Sequence, residues 1–507
     1  MAFLEIESLS FAYEGARNAA LRDVSFSVEE GEFCLLLSPN GGGKTTLLSL
    51  IHDPAGLQGN ISGKIRAFGG RAALLRQDPE LGLITDKVWR EIAFSPENRG
   101  LPTEEIRLRA AEAVGFLGLE RIFDRDTATL SGSEKVKTLL ASLLADRPDL
   151  FLLDEPAGGL DPMGEMDLAE ALSRIRAEYG GTILLSEQNC DPFFAMADRI
   201  LYLEDGKLLF NGKPKDAARF LSASGRYDFV PEAARLALAL GETDEAPLNV
   251  SEGKRALARR AFTVKAPSET ESAGETLLSL SDLSFRFERD GADLIADLDL
   301  SLRRGEALCI LGKGGSGKSS LLRLLAGDLR PARGKRRVSK GIKIAYLPQD
   351  VRCVFEKETV REELLAAAKE EAIGEAAERF DLQKLMERHP LDLSGGERRR
   401  LALAKIFLLS PDAVLLDEPT RGLDGASKRR LIELLIAWKR AGAGLLIATH
   451  DAAFAARVAD RCGLLFHGEL AALAKTEDFF RETRLFTTPT ARITGFRAVL
   501  PEEVEGR

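Results

Sequence analysis

Short apolar runs, four or five residues long and uninterrupted by charge, punctuate the chain. Two of them, at 33–37 and 307–311, stop at glycine-rich loops. Two more, at 150–153 and 413–416, stop at an Asp-Glu pair, and a third pair lies at 182–185 and 444–448. Continuous apolar runs bounded by turns predict strands buried on both faces, as in parallel sheets. Between them the period changes. After Ser131, apolar Val136, Leu139, Leu140, Leu143 and Leu144 fall at i, i+3, i+4, i+7 and i+8, the stripe of a half-buried helix. Each half of the chain reads as strand, glycine-rich loop, helix, helical stretch and further strands, an α/β layer arrangement.

The halves repeat each other. SPNGGGKTT at 38–46 returns as GKGGSGKSS at 312–320, and LSGSE at 130–134 as LSGGE at 393–397. FLLDEP at 151–156 returns as VLLDEP at 414–419, and GGLD at 158–161 as RGLD at 421–424. The offset is 274 from Lys44 to Lys318, 272 from Gln77 to Gln349, and 263 from the LSG motif onward. A constant order with a net loss of nine positions (272 − 263) after the glutamine means duplicated domains. The expected boundaries are 1–240 and 277–507, joined by 241–276. The last part of the join, KAPSETESAGET at 265–276, has a linker composition.

Composition narrows the class. A chain of 507 residues with 45% hydrophobic and 29% charged residues is an ordinary globular protein, not a disordered or collagen-like one. Its 70 basic and 79 acidic residues give a net charge of −9, which disfavours a protein that coats nucleic acid. Cys34, Cys190, Cys309, Cys353 and Cys462 are scattered without a CxxC pair, so no zinc or iron–sulfur ligand set is present and free thiols are expected. His52, His389 and His467 have no metal-site spacing. The N-terminus carries early acids and lacks a signal-peptide pattern. No apolar run approaches the roughly 20 residues that span a bilayer, so any membrane role is expected through a partner.

Gly312-x-x-x-x-Gly317-Lys318-Ser319 fits the phosphate-binding loop completely. Its glycines let successive N–H groups face phosphates, and the following helix N-terminus adds partial positive charge. Lys318 is placed to reach the β- and γ-phosphates, and Ser319 to ligate Mg²⁺. In the first half Ser38 replaces the opening glycine, while Gly43, Lys44 and Thr45 are kept. Asp154-Glu155 and Asp417-Glu418 put two carboxylates at strand ends beside these loops. The Asp suits Mg²⁺, and the Glu suits orienting or deprotonating an attacking water. Alone, such a pair reads equally well as a helix-capping acid pair. Ser131-Gly132-Ser133-Glu134 and Ser394-Gly395-Gly396-Glu397 are capping boxes. Their plain meaning is a well-capped helix; their sharper meaning is a second phosphate site on exposed N–H groups.

Five motifs in one order, twice over nearly the whole chain, resemble the ATP-binding cassette (ABC) ATPases. The resemblance implies two tandem P-loop, RecA-like cassettes. Each has an antiparallel β-subdomain and a helical subdomain. It implies ATP and Mg²⁺, with each nucleotide sandwiched head-to-tail between cassettes. The implied ATP contacts are Tyr13, Ser38, Asn40, Gly41, Gly43, Lys44, Thr45 and Thr46 in the first cassette, with Phe287, Gly312, Gly314, Gly315, Gly317, Lys318, Ser319 and Ser320 in the second. Ser131, Gly132 and Ser133 are expected to close the second site, and Ser394, Gly395 and Gly396 the first. Tyr13 and Phe287 look like the adenine-stacking aromatics. Thr45, Gln77 and Asp154, and likewise Ser319, Gln349 and Asp417, look like the Mg²⁺ sets. Gln77 and Gln349 also resemble partner-coupling glutamines, and Asp161 and Asp424 the aspartates that bridge domains. Glu155, Glu418 and His450 resemble the catalytic groups. Gln188 stands where the first cassette lacks the histidine, and it cannot carry imidazole's proton chemistry. The sites are therefore expected to be unequal, with the second more active. The faults are Ser38 and Gln188 in the first site and Ser133 in the second.

Three stretches are similar to energy-coupling factor (ECF) importer ATPases: VWREIAFSPENRGLP at 88–102, the tail at 231–257, and FFRETRLFTTPTARI at 479–493. That similarity implies a motor for uptake of a vitamin, its precursor or a metal ion. It would sit on the cytoplasmic face of the cell membrane, held by an integral T-type coupling subunit and a substrate-binding S subunit. No nucleic acid partner is expected. The alternatives are a soluble ABC-F-type ribosome factor and a fused sugar-importer ATPase. The basic run at 329–343 reads as a solvated β-hairpin, with contact to RNA phosphate the rival reading. Arg398-Arg399-Arg400 reads as a solvated helix face.

Overall fold

The computed structural model describes residues 2–16, 18–67, 70–241, 246–258, 261–265, 274–288 and 291–506. The chain divides into two units, Met1–Thr263 with Val504–Arg507, and Val264–Glu503. Most of the 265–276 linker expectation lies outside the described residues. Residues 246–258 are structured, and Ala246 and Leu248 are buried in the first unit's core.

The first unit opens with β1 (Ala2–Tyr13), β2 (Leu21–Glu29), β3 (Phe33–Leu37), α1 (Lys44–His52), β4 (Gly59–Ala67) and β5 (Ala72–Leu75). A helical block follows: α2 (Pro79–Gly82), α3 (Val88–Asn98), α4 (Thr103–Leu117) and α5 (Gly132–Ala145). Then come β6 (Leu150–Asp154), α6 (Pro162–Arg174), β7 (Thr182–Glu187), β8 (Arg199–Glu204), β9 (Lys207–Gly212) and α7 (Pro214–Ala223). The tail carries α8 (Glu232–Ala239), α9 (Val250–Leu257) and β10 (Phe262–Val264).

The second unit repeats this plan with β11 (Thr276–Phe285), β12 (Ile295–Arg303), β13 (Ala307–Leu311), α10 (Lys318–Ala326), β14 (Arg333–Val338) and β15 (Ile344–Leu347). Its helical block is α11 (Val360–Leu365), α12 (Glu370–Arg379) and α13 (Gly395–Leu409). It closes with β16 (Ala413–Asp417), α14 (Gly425–Arg440), β17 (Gly444–Ala448), α15 (Ala452–Val458), β18 (Arg461–Phe466), β19 (Glu469–Lys475), α16 (Thr476–Glu482) and α17 (Pro489–Thr494). The last strand, β20 (Val504–Gly506), pairs with β10 and belongs to the first unit.

Each unit holds a six-stranded sheet, β5-β6-β7-β3-β8-β9 and β15-β16-β17-β13-β18-β19. All neighbours are parallel except the last pair of each. Each also holds a three-stranded antiparallel sheet, β2-β1-β4 or β12-β11-β14. The apolar runs are continuous because each central strand serves two cores. Phe33, Leu35 and Leu37 pack with the helical block, while Cys34 and Leu36 pack with α1 and the antiparallel sheet. Ala307, Cys309 and Leu311 divide from Leu308 and Ile310 in the same way. Burying a leucine side chain contributes roughly 1.5–3 kcal/mol, so neither face tolerates a charge.

Two expectations fail. The basic run at 329–343 is not a hairpin: β14 is an edge strand paired with β11, and β15 joins the other sheet. The Arg398–Arg400 face is not all solvated, because Arg399 is buried at 5% exposure. Among the described residues no helix is long and apolar enough to cross a membrane.

Candidate functional site

Both glycine-rich loops leave the carboxyl end of a central strand, where open parallel sheets bind ligands. Gly43 and Gly317 take φ of 108° and 101° just before the helices start, and glycine adopts this left-handed backbone without strain. Each loop lysine folds back over its loop. Lys44 Nζ donates to Ser38 O at 2.7 Å, and Lys318 Nζ to Gly312 O at 2.8 Å.

Ser38 proves to be half of an exchange. A Cβ on Gly42 would run into the Ser38 hydroxyl. In the second loop a Cβ on Gly312 would stand 2.8 Å from Ser316 Oγ and 2.5 Å from Leu465 O. Each loop thus accommodates one hydroxyl, at its first position in one cassette and its fifth in the other. This pairing was readable only across the loop.

The Asp-Glu pairs arrive beside these lysines. Asp154 and Asp417 end β6 and β16, and both are buried. Burial raises the Asp154 pKa, against hydrogen bonds from Ser186 and Thr45. Burial pushes Asp417 up to about 6, against the pull of the Ser319 hydroxyl. Glu155 and Glu418 both have φ of 48°. Left-handed backbone costs a non-glycine residue on the order of 1 kcal/mol, and here it turns each carboxylate toward its loop.

The two glutamates have different company. Glu155 pairs with Lys44 at 3.1 Å and accepts from Gln77 Nε2 at 2.9 Å. It also accepts from Gln188 Nε2 at 2.9 and 3.0 Å, and the same nitrogen donates to Asn40 Oδ1 at 2.6 Å. Glu418 stands 4.0 Å from Lys318 and 2.9 Å from His450 Nδ1. No hydrogen bond joins Gln349 to Glu418 among the described residues; the Gln349 carbonyl instead accepts from Arg399 at 3.2 Å.

The hard oxygen donors fit Mg²⁺. Among the described residues Asp417 Oδ1 is buried without a hydrogen-bond partner, and Ser319 bonds the same carboxylate. Asp154 with Thr45 forms the matching pair.

The aromatics occupy matching places. Tyr13 and Phe287 each stand edge-on to a phenylalanine two residues earlier, at 5.0 Å. The Tyr13 hydroxyl shares a 2.9 Å hydrogen bond with Thr46 Oγ1, beside the loop, and Phe287 is 67% exposed. Both capping boxes form. Ser131 N donates to Glu134 at 2.7 Å, and Ser394 N to Glu397 at 2.8 Å. Asp161 and Asp424 cap α6 and α14, each accepting a backbone N–H at 2.8 Å.

Three neighbours were missed. Ser186 donates to Asp154 Oδ1 at 2.7 Å. Glu187 is fully buried, its pKa raised by that burial, and it accepts from Ala157 N at 2.7 Å. Arg399 donates to the carbonyls of Glu418 and Gln349. A serine and a glutamate ending the apolar run at 182–185 were the available signal for the first two.

Duplicated phosphate loops with acid-ended strands on an α/β sheet define a tandem P-loop ATPase. The ABC transporter family pattern matches residues 21–158 and 295–421. The chain belongs to this family, as an ABC ATPase with two fused cassettes that binds ATP. A putative ABC transporter ATP-binding protein of Bacillus thuringiensis subsp. konkukian is 35% identical, with 97% of this chain and 95% of that protein covered. Another so described, from Saccharolobus solfataricus, is 29% identical over 95% of each. Among solved structures, the archaeal ribosome recycling factor aABCE1 in complex with ribosomal stalk protein aP1 is similar. Its TM-score is 0.64 at 21% identity, covering 94% of this chain and 91% of that one. RNase-L Inhibitor gives 0.63 at 20% identity, covering 94% and 92%. At these identities the likeness is one of fold.

Proposed function

We propose that this ATPase is the motor subunit of an ECF-type importer, driving uptake of a vitamin, its precursor or a metal ion through separate membrane subunits. The observation that carries the reading is an exposed apolar group just after Gln77. Leu81 is 77% and Ile84 67% exposed, and Trp89 also reaches solvent at the start of α3. Side chains of this kind gathered beside a nucleotide-linked glutamine suit a docked partner. The relatives described as putative ABC transporter ATP-binding proteins support the transporter part of this reading. The partner would be a T-type coupling subunit carrying an S subunit, at the cytoplasmic face of the membrane.

Within this reading Lys44 and Lys318 hold phosphates, and Glu155 and Glu418 orient the attacking water. Thr45, Asp154 and Gln77, or Ser319, Asp417 and Gln349, would hold Mg²⁺, which would supply charge neutralisation at the phosphates. The helix starts at Ser131–Ser133 and Ser394–Gly396 offer further N–H groups to phosphate. The second site is the faster one. Glu155 is tied by Lys44, Gln77 and Gln188, whereas Glu418 faces His450. Isolation from native membranes tests the assignment. Integral membrane proteins should accompany the chain, and Leu81→Asp with Ile84→Asp should release them. Sedimentation with ribosomes instead would overturn it.

One observation favours the ribosome reading. In the first cassette Arg66 and Lys64 of β4 lie opposite Glu5 and Glu7, but in the second Arg337 and Lys335 of β14 lie opposite Ser279 and Ser281. That strip of uncompensated positive charge suits RNA phosphate.

A further inference from the structure

Arg399 is the fifth residue of α13, the helix that starts at the Ser394 capping box. Its guanidinium is buried and pairs with no carboxylate among the described residues. Burial, with Arg421 adding to it, lowers its pKa to about 10. Holding a cation in such a place is costly unless its donors are used. They are used on two backbone carbonyls: Nη1 donates to Glu418 O and Nη2 to Gln349 O at 3.2 Å. Those residues follow the adjacent strands β16 and β15. A planar guanidinium has its donors in a fixed fork, so it fixes both carbonyls relative to each other and to the helix.

The first cassette lacks this device. Position 136, which lies 263 before 399, is Val136, buried in the apolar core. There the loop after the Asp-Glu pair is held from β7, by Glu187 accepting from Ala157 N. At the matching place β17 leads into Thr449 instead. One cassette braces this loop with a buried acid on an N–H, the other with a buried base on carbonyls.

We propose that Arg399 is a positioning residue of the second site. It links the start of α13 to Gln349 and Glu418, so that displacement at Ser394 reaches the water-orienting carboxylate within the same cassette. This rests on the reading of Glu418 and Gln349 given above.

The test uses the full chain carrying Glu155→Gln, so that turnover reports the second site. Arg399→Met removes the donors at similar length, and Arg399→Lys restores a charged donor. Arg399→Met is expected to lower kcat about 10–100-fold, the loss of charge-assisted hydrogen bonds, while KM for ATP moves less than about threefold. Arg399→Lys should recover part of kcat. Melting temperature and fluorescent-nucleotide affinity are followed in parallel. Parental kcat in Arg399→Met overturns the proposal. So does a fall in kcat that only matches a fall in folded, nucleotide-binding protein, since that is a structural role. Should the Met version not fold, Arg399→Gln keeps two donors and gives the same comparison. Glu418→Gln in the same background separates the two ideas. If it turns over like the parent, the site reading fails; if it is dead while Arg399→Met keeps the parental kcat, only the positioning role fails.

Discussion

The serine–glycine exchange between the phosphate loops makes a quantitative prediction. Gly42→Ser adds a second side chain where the Ser38 hydroxyl already sits, and Ser38 has no exposed surface into which to swing. Overpacking of this kind costs roughly 1–3 kcal/mol. Expressed through nucleotide affinity, that is about 5- to 150-fold at 1.4 kcal/mol per factor of ten. Ser38→Gly alone removes a hydroxyl that donates to Pro39 O at 3.1 Å and should cost less. Ser38→Gly with Gly42→Ser recreates the second loop's arrangement and should restore most of the loss. The coupling energy of the double-mutant cycle should then be about 1–3 kcal/mol, favouring the double variant. Titration of a fluorescent ATP analogue, with Lys318→Ala silencing the second site, supplies all four affinities. Additive losses would show that the two positions do not share space, and Ser38 would revert to being a defect. Gly312→Ser should be harder to rescue with Ser316→Gly, because the Leu465 carbonyl remains 2.5 Å from the new Cβ.

Other expectations follow from the same geometry. Glu418→Gln should remove more of the ATP turnover than Glu155→Gln, and equal losses in side-by-side assays would end the claim of unequal sites. Asp191 is pushed up to about 6 by burial, with Glu232 adding to it, so the folded state binds its proton more tightly than the unfolded chain. Its contribution is fully present below about pH 4 and lost as pH rises to about 6, and Asp191→Asn should flatten that slope in urea midpoints. Asp451 has the opposite sign: burial opposes its ionisation, but Lys428 and the Phe454 N–H outweigh it and hold it at about 2. Its contribution is present above about pH 4 and lost as pH falls toward 2, so Asp451→Asn should reduce the acid sensitivity of the second cassette. Arg336 donates to Leu325 O at 2.7 and 2.9 Å, closing the end of α10. Arg336→Met should lower stability by about 1–2 kcal/mol by thermal melting, without changing KM for ATP.

The elements most legible in sequence were those specified locally. The strand at 33–37 announced itself because alternate residues enter two different cores, leaving no polar position. The capping boxes were legible because Ser131 and Glu134 satisfy each other within one turn. What escaped depended on partners distant along the chain. The 329–343 run takes its strand partner from β11, some fifty residues earlier, so local composition suggested a hairpin. Arg399 hid in a triplet of arginines. Helical spacing does set 399 with Ala402, Leu403 and Ile406 on the buried face of α13, but charge argued the other way. The meaning of Ser38 needed the distance across its loop.

The terminal strand has a consequence for synthesis. β10 ends at 264 and its partner β20 starts at 504, so 240 positions (504 − 264) must be translated before the pair can form. At about 5–20 residues per second this delay is roughly 10–50 s. During that interval the earlier-made half waits on the ribosome with one strand edge uncovered. A stall or premature stop late in the message would therefore harm the part of the protein that was made first.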